Sequence, residues 1–100
     1  MTVVEYEWGP ASRTLISLYD VQTWEVMEVL YGSRRWPRPA TTSEGLPVIT
    51  VWGRTDEGRP LVIVLRRPRS NSDRWQIMIA APMGPQQLDE YTAWEANRDD

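Results

Sequence analysis

The side chains best suited to chemistry in this sequence are its arginines, and they are unevenly placed. All eleven basic residues are arginine. Nine of them (Arg34, Arg35, Arg38, Arg54, Arg59, Arg66, Arg67, Arg69 and Arg74) fall within residues 33–75, which carry a net charge of +5, whereas residues 1–32 and 76–100 each carry −4. A guanidinium is a planar, permanently charged fork that matches phosphate or carboxylate with two parallel hydrogen bonds and stacks on aromatic rings. Arg54 and Arg59 flank one turn, Arg66, Arg67, Arg69 and Arg74 surround a second, and Arg34-Arg35-Trp36-Pro37-Arg38 adds a basic and aromatic cluster. In one reading this is a phosphate-binding surface, with Trp36 or Trp52 stacking on a base. In the other it is a solvated rim at strand ends, neutralised by Asp56, Glu57 and Asp73.

Absent residues narrow the chemistry further. The chain has no histidine and no cysteine. That excludes a Ser-His-Asp triad, a zinc site built on His or Cys, a disulfide and a thiolate nucleophile. No metal and no cofactor is expected. Glu25 and Glu28 read as exposed charges between buried Val26 and Val29, and no pair of carboxylates is held at a set separation. Gly53 and Gly58 belong to a hairpin, and with no helix after them they are not a phosphate-cradling loop. No apolar run approaches the roughly 20 residues of a membrane span, and the acidic N-terminus lacks the basic start of a signal peptide, so a cytoplasmic protein is expected.

These residues must be positioned by a sheet. Leu46–Trp52, Leu61–Leu65 and Arg74–Ala81 read as a three-stranded antiparallel meander, with turns at 53–58 and 68–73. The apolar run Leu61–Leu65 suits a central strand covered on both faces. Trp75, Ile77 and Ile79 alternate with Arg74, Gln76 and Met78, which predicts one shared face. Residues 3–8 form a short strand with Val4, Tyr6 and Trp8 on one side. A helix over 10–18 puts Leu15, Leu18 and Tyr19 on one stripe, and a second over 24–30 buries Val26, Val29 and Leu30. Two prolines make Ser33–Pro39 an edge strand or an extended loop. A last helix after Pro85 carries Leu88, Tyr91 and Trp94 at three-residue spacing. The prediction is one α+β domain over residues 1–100, with a four- to five-stranded antiparallel sheet, two N-terminal helices and one C-terminal helix, all packed on one face.

In order and spacing these pieces resemble the BrnT-type toxins, relatives of the RelE-like ribonucleases of type II toxin–antitoxin pairs, over nearly the whole chain. Glu7-Trp8-Gly9-Pro10-Ala11 is similar to the family's opening Trp-Asp-Pro-Ala. Tyr19–Leu30 stands at its His-Gly-Val/Ile segment and Glu-rich helix. Gly53-Arg54-Thr55 with Gly58-Arg59 is similar to its Gly-Arg hairpin, and Ile77–Pro85 falls on its Ile-Ile-Ser-Ala-Arg segment. The resemblance implies a metal-independent endoribonuclease of the bacterial cytoplasm, with RNA as substrate, a ribbon-helix-helix antitoxin as partner, and a homodimer compatible with both. Arg54 and Arg66 would be its catalytic arginines, and Arg34, Arg35, Trp36, Arg59, Arg67 and Arg74 its RNA contacts. The chain departs from the pattern where the family's basic residues fall on Leu18, Tyr19, Gln76 and Ala81. Losing one transition-state charge contact typically costs about 10²–10³ in rate. Whether this chain cuts RNA therefore stays open at the level of sequence, and the alternative is a catalytically inactive member that binds protein.

Overall fold

The computed structural model describes residues 5–68 and 73–98. Val4 and Arg69 lie outside the described residues. The elements follow in the order Glu5–Trp8 (β1), Ser12–Leu18 (α1), Thr23–Leu30 (α2), Trp36–Thr41 (β2), Pro47–Arg54 (β3), Pro60–Arg66 (β4), Arg74–Pro82 (β5) and Pro85–Ala96 (α3). The strands make one five-stranded sheet in the order β1-β5-β4-β3-β2. Every pairing is antiparallel except β1 with β5, which is parallel. That exception follows from connectivity. The chain passes through α1 and α2 before it lays down the rest of the sheet, so β1 and β5 are not joined by a hairpin.

Hairpin chemistry sets the centre. Between β3 and β4, Gly58 takes a positive φ of 93° and its N–H bonds to the Thr55 carbonyl at 2.8 Å, a backbone shape glycine adopts without a Cβ penalty. One face of the sheet buries Val51, Leu61, Ile63, Leu65, Ile77 and Ala80 against Ile16 of α1 and Val26, Val29 and Leu30 of α2. Each such Val, Leu or Ile side chain contributes about 1.5–3 kcal/mol when fully buried. Gly53 sits where a Cβ would meet Val29 Cγ1 at 2.7 Å, so its absence lets α2 lie close on β3.

The strand pattern breaks once. Val64 pairs with Ile79 but Leu65 pairs with Ile77, so Met78 is an extra residue on β5. This bulge shifts the alternation by one. Ile77 and Ala80 both reach the core while Ile79 turns to the other face, contrary to the regular period the sequence suggests. Strand β4 is central, yet it is sealed on one face only: Leu61, Ile63 and Leu65 are buried and Val62 and Val64 are half-exposed.

Helix α1 also corrects the sequence reading. Its buried residues are Ser12 and Ile16, while Leu15, Leu18 and Tyr19 point outward. The Gly9 N–H bonds to the Ile77 carbonyl at 2.9 Å and Ser12 Oγ bonds back to the Gly9 carbonyl at 2.9 Å. This short bridge fixes the helix rotation and lets small Ser12 approach β5.

The third helix lies on the second face. Trp52 and Arg54 alternate with Val51 and Gly53, so they leave the sheet away from α1 and α2. Helix α3 reaches Arg54 through Tyr91 and Glu95, so the helices do not all share one face as the sequence suggests. At one edge of the sheet, β2 is the edge strand that its prolines predict. Pro37 and Pro39 have no N–H, so its ladder to β3 relies on the donors of Trp36, Arg38 and Ala40, and its outer side offers few donors to a further strand.

Candidate functional site

The arginines leave the sheet in several directions, and most meet a carboxylate within the fold. Arg54 Nε donates to both Glu95 oxygens, at 3.0 and 3.2 Å, and its Nη1 donates to the Gly58 carbonyl at 3.1 Å. The guanidinium also lies 5.5 Å over the Tyr91 ring. Arg34 reaches the same carboxylate at 3.4 Å. Tyr91 is fully buried and donates its hydroxyl to the Arg34 carbonyl at 2.5 Å. Burial pushes its pKa up to about 12, the neighbouring Glu95 adds to the rise, and the surrounding arginines oppose it.

Next to this group stands an aromatic stack. The rings of Trp36 and Trp94 are parallel within 6° at 5.1 Å, and Trp52 meets Trp36 edge-on at 5.6 Å. The Arg38 guanidinium lies 4.4 Å from the Trp36 ring and 4.8 Å from that of Trp52, and it pairs with Glu90 at 3.8 Å. Trp52 is buried, with its indole N–H donated to Thr50 Oγ1 at 3.0 Å. The rings expected to stack on a base therefore make their stacking contacts inside the fold.

On the other face, Arg59 Nη1 donates to Glu25 at 2.9 Å and to the Asp20 carbonyl at 2.8 Å. Glu25 is only 7% exposed and also accepts the Gln22 N–H at 3.0 Å at the start of α2. It is a buried structural anchor and not the exposed charge its spacing suggests. Glu28 accepts the Asp56 N–H at 3.1 Å, which ties α2 to the β3–β4 turn. Arg74 pairs with Glu5, its register partner, at 3.1 Å on the β1 side. Arg35 donates to the Leu30 carbonyl at 2.8 Å and to the Tyr6 hydroxyl at 3.4 Å. Arg66 is half-exposed and Arg67 exposed, and among the described residues neither has a carboxylate within ion-pair distance.

Comparison with protein-family models and with curated proteins finds no match.

The candidate residues are thus not gathered at one place. Arg54, Arg34 and Trp36 meet under α3, Arg59 faces the start of α2, Arg35 faces β1, and Arg66 and Arg67 stand at the far end of β4. The acids that hold them are Glu95, Glu25, Glu90 and Glu5, not the Asp56, Glu57 and Asp73 that neighbour them in sequence. Among the described residues, no three acids cluster as a metal site would need. No helix among the described residues is long and apolar enough to cross a membrane.

A different surface stands out. Leu18, Tyr31, Trp24, Tyr19 and Leu15 are 73%, 66%, 52%, 49% and 36% exposed, all on or beside α1 and α2. Trp24 and Tyr31, seven residues apart, share one exposed side of α2, with Met27 between them partly buried against the core. Spacing detects such a stripe but not which way it faces.

Proposed function

We propose that this chain is a protein-binding module on a RelE/BrnT-like scaffold, acting in the cytoplasm without ribonuclease chemistry. The observation that carries this reading is the set of five large apolar side chains left in water on the α1–α2 layer. Contiguous exposed apolar surface marks interaction sites; Trp24 and Tyr31, seven residues apart, share one side of α2, and aromatic residues are enriched among the residues that carry interface energy. The arginines support it from the other side. Arg54 and Arg59 are already held in short, part-buried pairs with Glu95 and Glu25 that neutralise much of their charge, so they are poorly prepared for RNA. The partner class implied by the resemblance is an antitoxin encoded next to this chain.

Co-expression with the product of the adjacent reading frame tests the proposal. The expected result is a stoichiometric complex that the double variant Leu18→Glu/Trp24→Glu loses by at least tenfold in Kd, with its thermal midpoint unchanged. A complex that survives this variant, or a protein that arrests growth when expressed alone, contradicts it. Arg66 and Arg67, which have no carboxylate within ion-pair distance among the described residues, favour one second reading, RNA binding without cleavage. It predicts an affinity that falls steeply with salt and weakens in the Arg66→Ala/Arg67→Ala variant.

A further inference from the structure

On the face covered by α1 and α2, the end of the sheet nearest the β1–β5 pair stays open. There a cavity of about 200 Å³ is walled by Pro37, Ile49, Leu65 and Trp75, with Tyr6 and Arg35 as its polar members. Tyr31, at the end of the exposed α2 stripe, packs edge-on against Tyr6 with ring centroids 5.6 Å apart. The apolar surface of α2 therefore runs directly to the mouth of this cavity.

Arg35 differs from the five arginines that are held by glutamates. Arg34, Arg38, Arg54, Arg59 and Arg74 each meet a glutamate, whereas the partners of Arg35 are neutral oxygens, the Leu30 carbonyl and the Tyr6 hydroxyl. Both bonds use Nη1, which leaves the Nε and Nη2 donors of a five-donor fork for another acceptor. Burial raises the Tyr6 pKa, while Arg35 opposes the rise. The phenol is protonated at neutral pH and is a second donor beside the guanidinium. A cation with no carboxylate partner among the described residues, beside a hydroxyl at the edge of an apolar cavity, suits a carboxylate attached to an apolar group.

Size and edge chemistry select among such ligands. A site for a whole drug-sized molecule occupies roughly 300–1,000 Å³, so this cavity accommodates about one large side chain. Pro37 lines it and withholds a backbone donor, so β2 is a poor edge for an added strand. A peptide is better held here by its end than along its length. We infer that the cavity receives the C-terminal residue of a partner polypeptide, with its apolar side chain against Ile49, Leu65 and Trp75 and its free carboxylate on Arg35 and Tyr6. The inference rests on the protein-binding reading above and adds which part of the partner is gripped.

Titration of the full chain with acetyl-Gly-Gly-Leu, followed by tryptophan fluorescence and by NMR shifts of the indole protons, tests it. The free acid should bind saturably and perturb Trp75. The C-terminal amide of the same peptide should bind at least tenfold more weakly. Arg35→Gln should lose about tenfold for the acid and change little for the amide, with an unaltered circular dichroism spectrum. Ile49→Glu, which places a like charge in the cavity, should abolish binding of the acid. Equal binding of acid and amide overturns the inference, as does no binding at all. 4-Methylpentanoate binding as tightly as the peptide acid also overturns it, by assigning the cavity to small carboxylates. If the peptide fails while the stoichiometric complex of the co-expression test persists, the terminus assignment falls and the protein-binding reading stands.

Discussion

Replacing Tyr91 by alanine lowers unfolding stability by about 3–5 kcal/mol, as removal of a large buried aromatic ring generally does. Tyr91 is the one fully buried residue of α3, and it touches Trp94, Arg54 and the Arg34 carbonyl. Its loss opens a cavity and leaves that carbonyl without its donor. A small domain has about 5–15 kcal/mol in all, so urea denaturation should show the variant near the limit of folding. Tyr91→Phe separates the two parts. It keeps the ring and loses the hydrogen bond, at about 1 kcal/mol. Alkaline pH reads the same contact. The folded pKa of about 12 lies above the ordinary value of 10.0, so above pH 10 the unfolded chain loses its proton first. The contribution of Tyr91 is fully present below pH 10 and is lost as the pH rises from 10 to 12. Tyr6, also raised, adds to this decline with the same sign, so Tyr91→Phe makes the slope shallower without removing it. A stability curve unchanged in Tyr91→Phe from pH 9 to 12 would contradict the placement of Tyr91 under α3.

Glu25→Ala has the second large effect, a loss of about 2–3 kcal/mol. Truncating one partner of a buried ion pair typically costs about 3–5 kcal/mol. Here Arg59 keeps about a third of its side chain in water and retains the Asp20 carbonyl, so the cost is smaller. The variant also strips the acceptor from the Gln22 N–H at the head of α2, a contribution of about 1 kcal/mol within that total. Glu25→Gln keeps an acceptor for the N–H but no charge for Arg59, and should fall between wild type and alanine. Urea midpoints of the three proteins provide the ranking. An alanine variant as stable as wild type would mean that the β3–β4 hairpin and α2 are not fastened through this pair.

Which parts of this fold are legible in the sequence follows from the range of the signals. Strands β3 and β4 come from runs of β-branched and apolar residues bounded by turn residues, and the buried stripe of α2 from helical spacing, local properties that Val51, Ile63, Val26 and Leu30 state plainly. The bulge at Met78 is not legible, because it depends on how β5 meets β4 and no single strand encodes it. The rotation of α1 escapes for a similar reason. Leu15, Leu18 and Tyr19 make the more apolar stripe, but the hydrogen bonds from Gly9 and Ser12 set which side meets the sheet. The site is legible in its residue types and not in its pairings. Arg54 and Glu95 are 41 residues apart and Arg59 and Glu25 are 34 apart. Nothing in the spacing of either marks the other, so nearby acids such as Asp56 and Asp73 attract the assignment instead.

The central claim is that the arginines of this sheet serve its structure, and Arg54→Ala tests it most directly. Purified wild type and variant would be compared in urea denaturation and in cleavage of a mixed-sequence RNA. The account predicts that neither protein cuts the RNA and that the variant loses about 1–2 kcal/mol of stability, since its loss leaves Glu95 without its closest partner. A wild type that cleaves RNA, with an Arg54→Ala variant equally stable but inactive, would contradict it.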